Sequence, residues 1–423
     1  MREPSPVLPF VVTALLAASG LAAEEGRALT LRAARAMTLE RNFDLQAARS
    51  DVDAALAQRL TARQLSNPVL DASVQKLATR ARTAAAPPSP NTRDTTIAVS
   101  QLVEIGGKRR DRIRSADAGI DGARARLEFS RTRLDASVVK AYVAALVADE
   151  TVQTSRASAA SLSHSAEIAA RRFEAGEISA AEREQVAIAA GRFEAETRTA
   201  EAAAVQAKAV LETLLGFPGF DPDLRLADRL EELLPLAARA PDEGHAQAAE
   251  RRGDVRAAAS AVDAARADLD LQRALRVPDP TLLAQYESDL PDNPHTVGFA
   301  VALPLPLFSR NQGGIRAAEV ARDAARRRLE QTRAAALAEM AAARAAFDAA
   351  RARKALLADD LLPRAERVQQ TVAFAYDKGG ASLLELLEAE RNLNDLRLAA
   401  LGTQAEMVSA AADLAAATGN TIE

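Results

Sequence analysis

The sequence predicts a mixed α/β membrane protein that is mostly α-helical and extended rather than compact. Three observations support this prediction. The chain repeats its own plan once, its longest segments keep helical spacing without a break, and four short segments alternate large apolar residues with small or polar ones. Only 3% of its 423 residues are aromatic. Such a composition suits close helix packing along a rod better than one large globular core.

The N-terminal segment has the features of an export signal. Arg2 precedes an apolar stretch over residues 7–21, and small residues follow where cleavage is expected. We therefore predict a signal peptide at residues 1–23. No later segment reaches the roughly 18 uninterrupted apolar residues of a membrane helix. The sequence contains no cysteine, which excludes disulfides and a lipid-modified cysteine.

An internal duplication organises the rest of the chain. Landmarks recur at offsets of 212, 202 and 203 residues, in the pairs Asn67 and Asp279, Ile113 and Ile315, and Phe173 and Tyr376. The offset falls by ten, from 212 to 202, because the first half has a longer loop at 77–91. We predict a first structural repeat at 24–215, an equatorial connector at 216–244 and a second repeat at 245–423. Each repeat reads helix, strand, loop, strand, long helix, turn, helix.

Four short amphipathic strands are predicted, at about 67–77, 94–105, 279–288 and 295–305. Large apolar residues share one side of the second strand (Ile97, Val99, Val103, Ile105) and of the fourth (Val297, Phe299, Val301, Leu303, Leu305). About 10 residues is the length that a tilted strand needs to cross a bilayer. An ordinary half-buried sheet would give the same alternation.

The long helices favour the membrane alternative. No proline occurs at 107–173, and an apolar seam recurs every seven residues with small residues three positions later (Ile113, Ile120, Leu127, Leu134; Ala116, Ala123, Ser130, Ser137). The second repeat keeps this seam except at Arg322. About 65 helical residues make a rod of roughly 100 Å, which no compact globule accommodates.

Closure of the sheet predicts an oligomer. Four strands in lipid would leave two edges with unsatisfied backbone groups, so several chains must pool their strands in one barrel. Two chains would give eight strands and a filled interior, whereas three would give twelve strands and a lumen. A conduit requires the second arrangement.

The junction QLVEIGGKRRDRIRS, at residues 101–115, presents an electrostatic conflict. Gly106 and Gly107 end a strand, and the next helix begins with Lys108 and Arg109, although the positive end of a helix dipole repels cations. We expect these side chains, with Arg110 and Arg112, to meet lipid phosphates and carboxylates such as Asp111 at the membrane face. A solvated basic helix start is the alternative.

These motifs resemble those of the TolC-type outer-membrane efflux factors. The resemblance covers roughly residues 29–419 and is carried by SQLVEIGGKRRDR, by PLPLFSRNQGGIRAAE with Gly313 and Gly314, and by the paired turns RRFEAGEIS and FAYDKGGAS. Gly-Gly-Lys-Arg and Pro-Leu-Phe-Ser-Arg-Asn-Gln-Gly are most similar to the CzcC-like branch for heavy-metal efflux.

The resemblance implies a homotrimeric TolC-like tunnel. It would combine a 12-strand β-barrel, four strands per chain, in the outer membrane of a Gram-negative bacterium with a long periplasmic α-helical barrel. The implied partners are outer-membrane lipids, a periplasmic adaptor (membrane fusion) protein and an inner-membrane pump of the resistance-nodulation-division (RND) type. The channel itself would make no bonds and so would be no enzyme.

The far end of the helices would hold the pore constriction. Gly176 and Gly379 would reverse the chain there, because glycine accepts a positive φ. The resemblance assigns acidic residues of the returning helices to the aperture: Glu385 and Glu388 in the second repeat and Glu182 in the first, where Gln185 replaces the second acid. Phe173, Tyr376 and Asp377 belong to the tip turns, the last two as polar contacts that hold the aperture shut. A solvated helix face would also explain these glutamates.

Other classes of function find little support in the residues. The histidines are far apart, and we expect no metal site and no cofactor. A net charge of −4 disfavours nucleic acid, and no nucleophile or phosphate-binding motif indicates an enzyme. A drug-efflux or type I secretion channel would share the fold. A periplasmic adaptor would have one hairpin only, and a structural coiled coil would leave the strands unexplained.

Overall fold

The computed structural model describes residues 28–75, 94–221, 223–238, 245–289 and 293–422. The expected signal peptide and the loop at 77–91 lie outside these residues. The helices of the described part are α1 (Leu31–Arg41), α2 (Phe43–Arg63), α3 (Lys108–Glu174), α4 (Ala180–Leu215), α5 (Leu230–Ala238), α6 (His245–Arg251), α7 (Gly253–Ala274), α8 (Gln312–Leu356), α9 (Leu362–Asp377) and α10 (Leu383–Ala417). A π-helical segment, Leu357–Leu361, joins α8 to α9.

One antiparallel sheet contains a strand pair from each repeat. Its strands are β1 (Val69–Gln75), β2 (Asp94–Leu102), β3 (Thr281–Asp289) and β4 (Asn293–Ala302), and they lie in the order β1, β2, β3, β4. The repeats meet between β2 and β3, where Leu102 is opposite Thr281. The alternation in β4 leaves Phe299 84% exposed, with Val297 and Val301 also exposed. The chain therefore presents an apolar sheet surface to its surroundings.

A layer of four helices continues the sheet. β1 follows α2, β2 precedes α3, β3 follows α7 and β4 precedes α8. α3 packs against α2 on one side and against α7 on the other, and α7 also packs against α8. The helices therefore lie in the same lateral order as the strands. Among the described helices, none has both the length and the apolar character of a membrane-spanning helix.

The main core lies along the middle of α3. Val138, Val139 and Tyr142 are fully buried there against α4, α5 and α10. Nearer the sheet, the seam position Ile120 and the small residue Ala123 are buried between α2 and α3. Most of the structure thus consists of thin, paired helices with one thicker region.

The inter-repeat segment helps to form this thicker region. Leu226 bridges to Leu29 in a parallel pairing. The Asp228 carboxylate accepts a hydrogen bond from Tyr142 Oη at 2.8 Å and another from Leu31 N at 2.6 Å. Burial is the largest factor that raises the pKa of Tyr142, and its hydrogen bond to Asp228 adds to the effect. These contacts attach the segment to the start of α1 and to the core of α3.

Candidate pore constriction and strand-to-helix junctions

The two turns far from the sheet have the same backbone geometry. Gly176 and Gly379 have φ values of 76° and 73°. In the first turn, Gly176 N donates to Phe173 O at 2.9 Å. In the second, Gly379 N donates to Tyr376 O at 3.0 Å. A glycine in the left-handed conformation after the last helical turn is the usual C-terminal cap, so both long helices end by the same device.

A capping box begins the returning helix after each turn. The Glu182 carboxylate accepts a hydrogen bond from Ser179 N at 2.8 Å, and Ser179 Oγ accepts one from Glu182 N at 3.2 Å. Glu385 and Ser382 do the same, at 2.7 and 3.3 Å. Two of the three glutamates predicted at the aperture therefore have a structural task at a helix N-terminus. The spacing Ser-x-x-Glu signals this task in the sequence, and our sequence interpretation missed it.

The two acidic side chains predicted at the aperture on α10 lie on its open side. Glu385 and Glu388 are exposed, whereas Leu386 and Ala389, which alternate with them, are buried. Hydrogen bonds from the backbone and the hydroxyl of Ser382 lower the pKa of Glu385, so this carboxylate keeps its charge in mild acid. Glu388 makes no hydrogen bond or ion pair with any described residue. The matching Gln185 on α4 is exposed as well.

Basic side chains cover the aromatic residues of the tips. The guanidinium of Arg172, on α3, lies 5.6 Å from the ring centre of Tyr376, and that of Arg183 lies 4.6 Å from the ring centre of Phe173. The first contact joins the tips of the two repeats. The expected contact of the Asp377 side chain lies outside the described part of the structure. The role of these residues in closing an aperture stays a prediction.

At the first strand-to-helix junction, Lys108 is buried. Gly106 and Gly107 have φ values of 75° and 82° and turn the chain into α3. Lys108 is 3% exposed, and its Nζ lies 2.6 Å from Asp279 Oδ1 and donates to Val277 O at 2.5 Å. The expected contact of Lys108 with lipid phosphates is wrong, because its ammonium group is enclosed by the second repeat.

The neighbouring arginines bind the C-terminal end of α2, and this contact offsets the repulsion from the dipole of α3. Arg109 Nε donates to Arg63 O at 2.9 Å, and Arg112 donates to Ala62 O at 3.2 Å. These carbonyl groups form the negative C-terminal end of α2, which attracts cations. Arg112 also makes two hydrogen bonds to Glu104, at 2.7 and 3.1 Å. The positive N-terminal end of α3 is thus offset by the end of the adjacent helix.

At the second junction, the chain turns just before the predicted junction residues Gly313 and Gly314. Gly313 and Gly314 lie inside the first turn of α8, and neither has a positive φ. Asn311 instead adopts the left-handed conformation, at φ 58°, and its amide donates to the carbonyl oxygen of Gln272 at 2.8 Å. Asparagine is among the few residues that accept this conformation. Gly314 is required for close approach, since an added Cβ would lie 2.4 Å from Asn311 Oδ1.

Comparison with solved structures shows the fold. CusC has a TM-score of 0.78 with 19% identity and covers 92% of both chains, and OprN has 0.76 with 20% identity over 92% of this chain and 90% of that one. VceC from Vibrio cholerae has 0.73 with 22% identity over 93% and 97%. These likenesses confirm the predicted mostly α tunnel with barrel strands.

Comparison of sequences supports the same relationship. The cobalt-zinc-cadmium resistance protein CzcC of Cupriavidus metallidurans CH34 is 28% identical over 383 residues, which are 90% of this chain and 88% of CzcC. Residues 34–217 and 245–420 match the family described as Outer membrane efflux protein. That family consists of channels rather than enzymes, and its members act as trimers with an adaptor and an inner-membrane pump. The chain therefore belongs to the outer membrane efflux protein family and is an outer-membrane channel that extends into the periplasm.

Proposed function

We propose that this chain forms the outer-membrane exit duct for heavy-metal cations in a tripartite RND efflux system. The single observation that carries the metal assignment is the similarity to the cobalt-zinc-cadmium resistance protein over 90% of the chain. The junction motifs of the CzcC-like branch point in the same direction. The partners would be a periplasmic adaptor and an RND pump that supplies the energy.

The duct would be closed by three copies of the chain. Within the described residues β1 and β4 each pair with a single strand, so both edges of the sheet have free backbone groups. In lipid such edges must be paired, and β4 of one copy next to β1 of the following copy would pair them. Three copies supply twelve strands, enough to enclose a lumen.

The acidic tip would provide a preference for cations without binding them tightly. Three copies of Glu385 and Glu388 would place six carboxylates at the aperture, with Glu182 adding three more, and rings of carboxylates favour cations over anions. Capping orients Glu182 and Glu385, and the hydrogen bonds from Ser382 lower the pKa of Glu385. Among the described residues, no group of His, Cys, Asp or Glu side chains is arranged to hold a metal ion. The metal would therefore be cargo in transit.

Deletion of the gene tests the substrate class. The strain should become sensitive to divalent metals such as cobalt, zinc and cadmium, and the intact gene should restore growth. Sensitivity to drugs alone, with unchanged growth on metals, would contradict the metal assignment and favour a drug-efflux channel. Failure to secrete a protein would favour a type I secretion channel.

Neutral variants test the aperture without removing the caps. Glutamine retains a side-chain oxygen for the capping box, so Glu385→Gln with Glu388→Gln removes charge and preserves the start of α10. The purified channel in a planar bilayer with a salt gradient should show a smaller cation-selective reversal potential than the wild type. The control is Glu330→Gln, an exposed acid in the sheet-side half of α8 and far from the tip turns. An unchanged reversal potential in the double variant would refute the acidic ring.

A further inference from the structure

The outermost helices of the layer, α2 and α8, each have a face without a neighbour among the described residues. α2 packs against α3 through Leu45, Ala55 and Ala62, which are buried. α8 packs against α7, and its first buried residues, Ala336 and Met340, lie just beyond its midpoint in a cluster with Val255 of α7. The remaining face of α2 is exposed along its length, and that of α8 is exposed in its sheet-side half, beyond which α10 packs against α8. These faces lie below the free edges of β1 and β4 and continue them.

The two open faces carry opposite charges without ion-pair partners in the described structure. Asp51 and Asp53 on α2 are exposed and make no ion pair. Three consecutive arginines on α8, Arg326, Arg327 and Arg328, are exposed and also make no ion pair, although Arg326 and Arg327 add to the effect of Arg322 in lowering the pKa of Asp323. Other charges of α8 are already paired within the chain, since Arg322 contacts Asp323 at 2.8 Å and Arg316 contacts Glu319 at 3.1 Å.

Contacts across the layer show that these charges lie at one level. Ala55 of α2 packs with Ile120 and Ala123 of α3. Between these two positions of α3 lies Gly122, where an added Cβ would be 3.5 Å from the Cβ of Ser260 on α7. Ala55 and Ser260 are therefore about equally far from the sheet.

The contacts of α8 with α6 and α7 complete this comparison. Asn311, which precedes α8, binds Gln272 of α7 at 2.8 Å, and Arg333 of α8 contacts Glu250 of α6, the short helix before α7, at 2.7 Å. In an antiparallel helix pair, both contacts place Ser260 opposite residue 323 of α8. Asp51 lies four residues further from the sheet than Ala55, and Arg327 lies four residues further than residue 323. The acidic and basic groups thus occupy the same height on opposite edges of the layer.

The helical positions also match. At about 100° per residue, Asp53 lies within about 50° of the centre of the open face of α2, whereas Asp51 lies at its margin, about 40° from the buried Ala55. Arg327 lies near the centre of the open face of α8, with Arg326 and Arg328 on its flanks. Small residues also lie near the centre of both faces, where they favour close approach: Ser50, Ala54 and Ala57 on α2, and Ala324, Ala334 and Ala338 on α8.

We propose that α2 of one copy packs against α8 of the next copy, and that Asp51 and Asp53 pair with Arg327 and Arg328 across this contact. The occupant of each open face is a second copy of this chain. The inference rests on the proposed trimer and adds the pairing that sets the helical register between copies. A contact between two different faces closes into a ring when the rotation permits, as three copies in one barrel require.

Charge exchange tests the pairing. Asp51→Arg with Asp53→Arg, or Arg327→Asp with Arg328→Asp, places like charges at every contact and should reduce trimer in native mass spectrometry of the detergent-purified protein. Because like charges at an interface are strongly unfavourable, we expect the trimer dissociation constant to rise at least about tenfold at low salt. All four changes together restore opposite charges and should restore the trimer.

Cross-linking tests the same contact between α2 and α8 of neighbouring copies, and its result does not depend on the strength of the ion pairs. The chain has no cysteine, so Asp51→Cys with Arg328→Cys introduces the only two thiols. A short bismaleimide should join neighbouring copies into covalent dimers and trimers. The matched control is Asp44→Cys with Arg328→Cys. Its thiol on α2 lies seven residues, or roughly 10 Å, further from the sheet than position 51, so this variant should cross-link much less.

The outcomes separate this inference from the proposed channel. A wild-type protein that is not a trimer contradicts the proposed function itself. A wild-type trimer whose charge-reversed variants are equally stable, or that cross-links equally through positions 44 and 51, contradicts the pairing alone. Loss of trimer in both reversed variants without recovery in the fourfold variant also overturns it.

Discussion

The two long helical segments have nearly the same number of residues in the two repeats, but only the second is interrupted. In the first repeat, α3 runs from Lys108 to Glu174 as one uninterrupted helix of 67 residues. In the second, α8 gives way to the π-helical segment Leu357–Leu361 and then to α9, whose first turn contains Pro363. The difference shows that a duplicated helical segment can change in length while the structures at its two ends are kept.

The sequence offsets indicate why the π-helical segment is present. Ile113 and Ile315 are 202 residues apart, whereas Phe173 and Tyr376 are 203 apart. The second repeat therefore has one additional residue between these landmarks. A π turn contains about one residue more than an α turn, so the segment at 357–361 absorbs the addition. The tip turns of the two repeats consequently keep the same geometry.

The junctions above these helices differ in a similar way. The first uses two glycines with positive φ and a buried ion pair from Lys108 to Asp279. The second uses Asn311, whose amide binds Gln272 on the neighbouring helix. Both attach a strand to a helix, but the first also connects the two repeats. We therefore expect the first junction to contribute more to stability.

Deletion of one residue should have the largest effect and should differ sharply between the repeats. Removing the exposed Ala157 rotates the rest of α3 by about 100° and moves Leu162 and Ala169 out of their buried positions. We expect a loss of at least about 4 kcal/mol in the free energy of unfolding. Removing Ala358 converts the π turn to an α turn and should change it by less than about 1 kcal/mol. Chemical denaturation in detergent measures both, and equal losses would contradict our interpretation of the insertion.

Loss of the buried cation should be the next largest effect. Lys108→Met leaves the Asp279 carboxylate, which is 16% exposed, without its cationic partner, although Ile105 N still donates to it, and should cost about 3 kcal/mol. Arg316→Met, at the start of the corresponding helix, removes a cation that is 78% exposed and should cost less than about 0.5 kcal/mol. The shift in denaturation midpoint compares them. Similar values for the two variants would show that the junctions are equivalent.

The turn at the second junction should contribute a smaller amount. Asn311→Ala places a side chain without local hydrogen bonds at φ 58° and removes the bonds to Gln272, for an expected cost of about 2 kcal/mol. Asn311→Gly relieves the backbone strain and should recover part of this loss. If the glycine variant is the less stable of the two, the left-handed conformation is not what selects asparagine here.

The helix caps at the tips should give the smallest effect, together with a pH dependence. Ser382→Ala removes the N-cap of α10 and should cost about 1 kcal/mol, as should Ser179→Ala for α4. Because the pKa of Glu385 is lowered in the folded chain, its contribution is present above the unfolded pKa and is lost as pH falls through the folded pKa. Unfolding followed by circular dichroism at pH 7 and in acid should show that Ser382→Ala flattens this acid-side loss. An unaltered pH profile would count against the capping assignment.

Much of the candidate site could be predicted from local sequence, and part of it could not. Gly176 and Gly379 were recognisable because each follows a long helix in corresponding positions of the two repeats. Glu385 was placed on a helix face by its spacing from Glu388, but its hydrogen bonds to Ser382 were overlooked although the capping motif is local. The lipid-facing position expected for Lys108 was wrong, because nothing near it in the sequence indicates Asp279.

The sequence by itself determined the duplication, the strands, the heptad seam and the chain reversals, since periodicity and glycine conformation act over a few residues. Tertiary structure alone decided that Lys108 would be buried, that the arginines after it would bind the end of α2, and that Asp51 and Arg327 would lie at one height on opposite edges. These features join residues more than forty positions apart. Their geometry follows from how whole helices pack, which no single segment of the chain specifies.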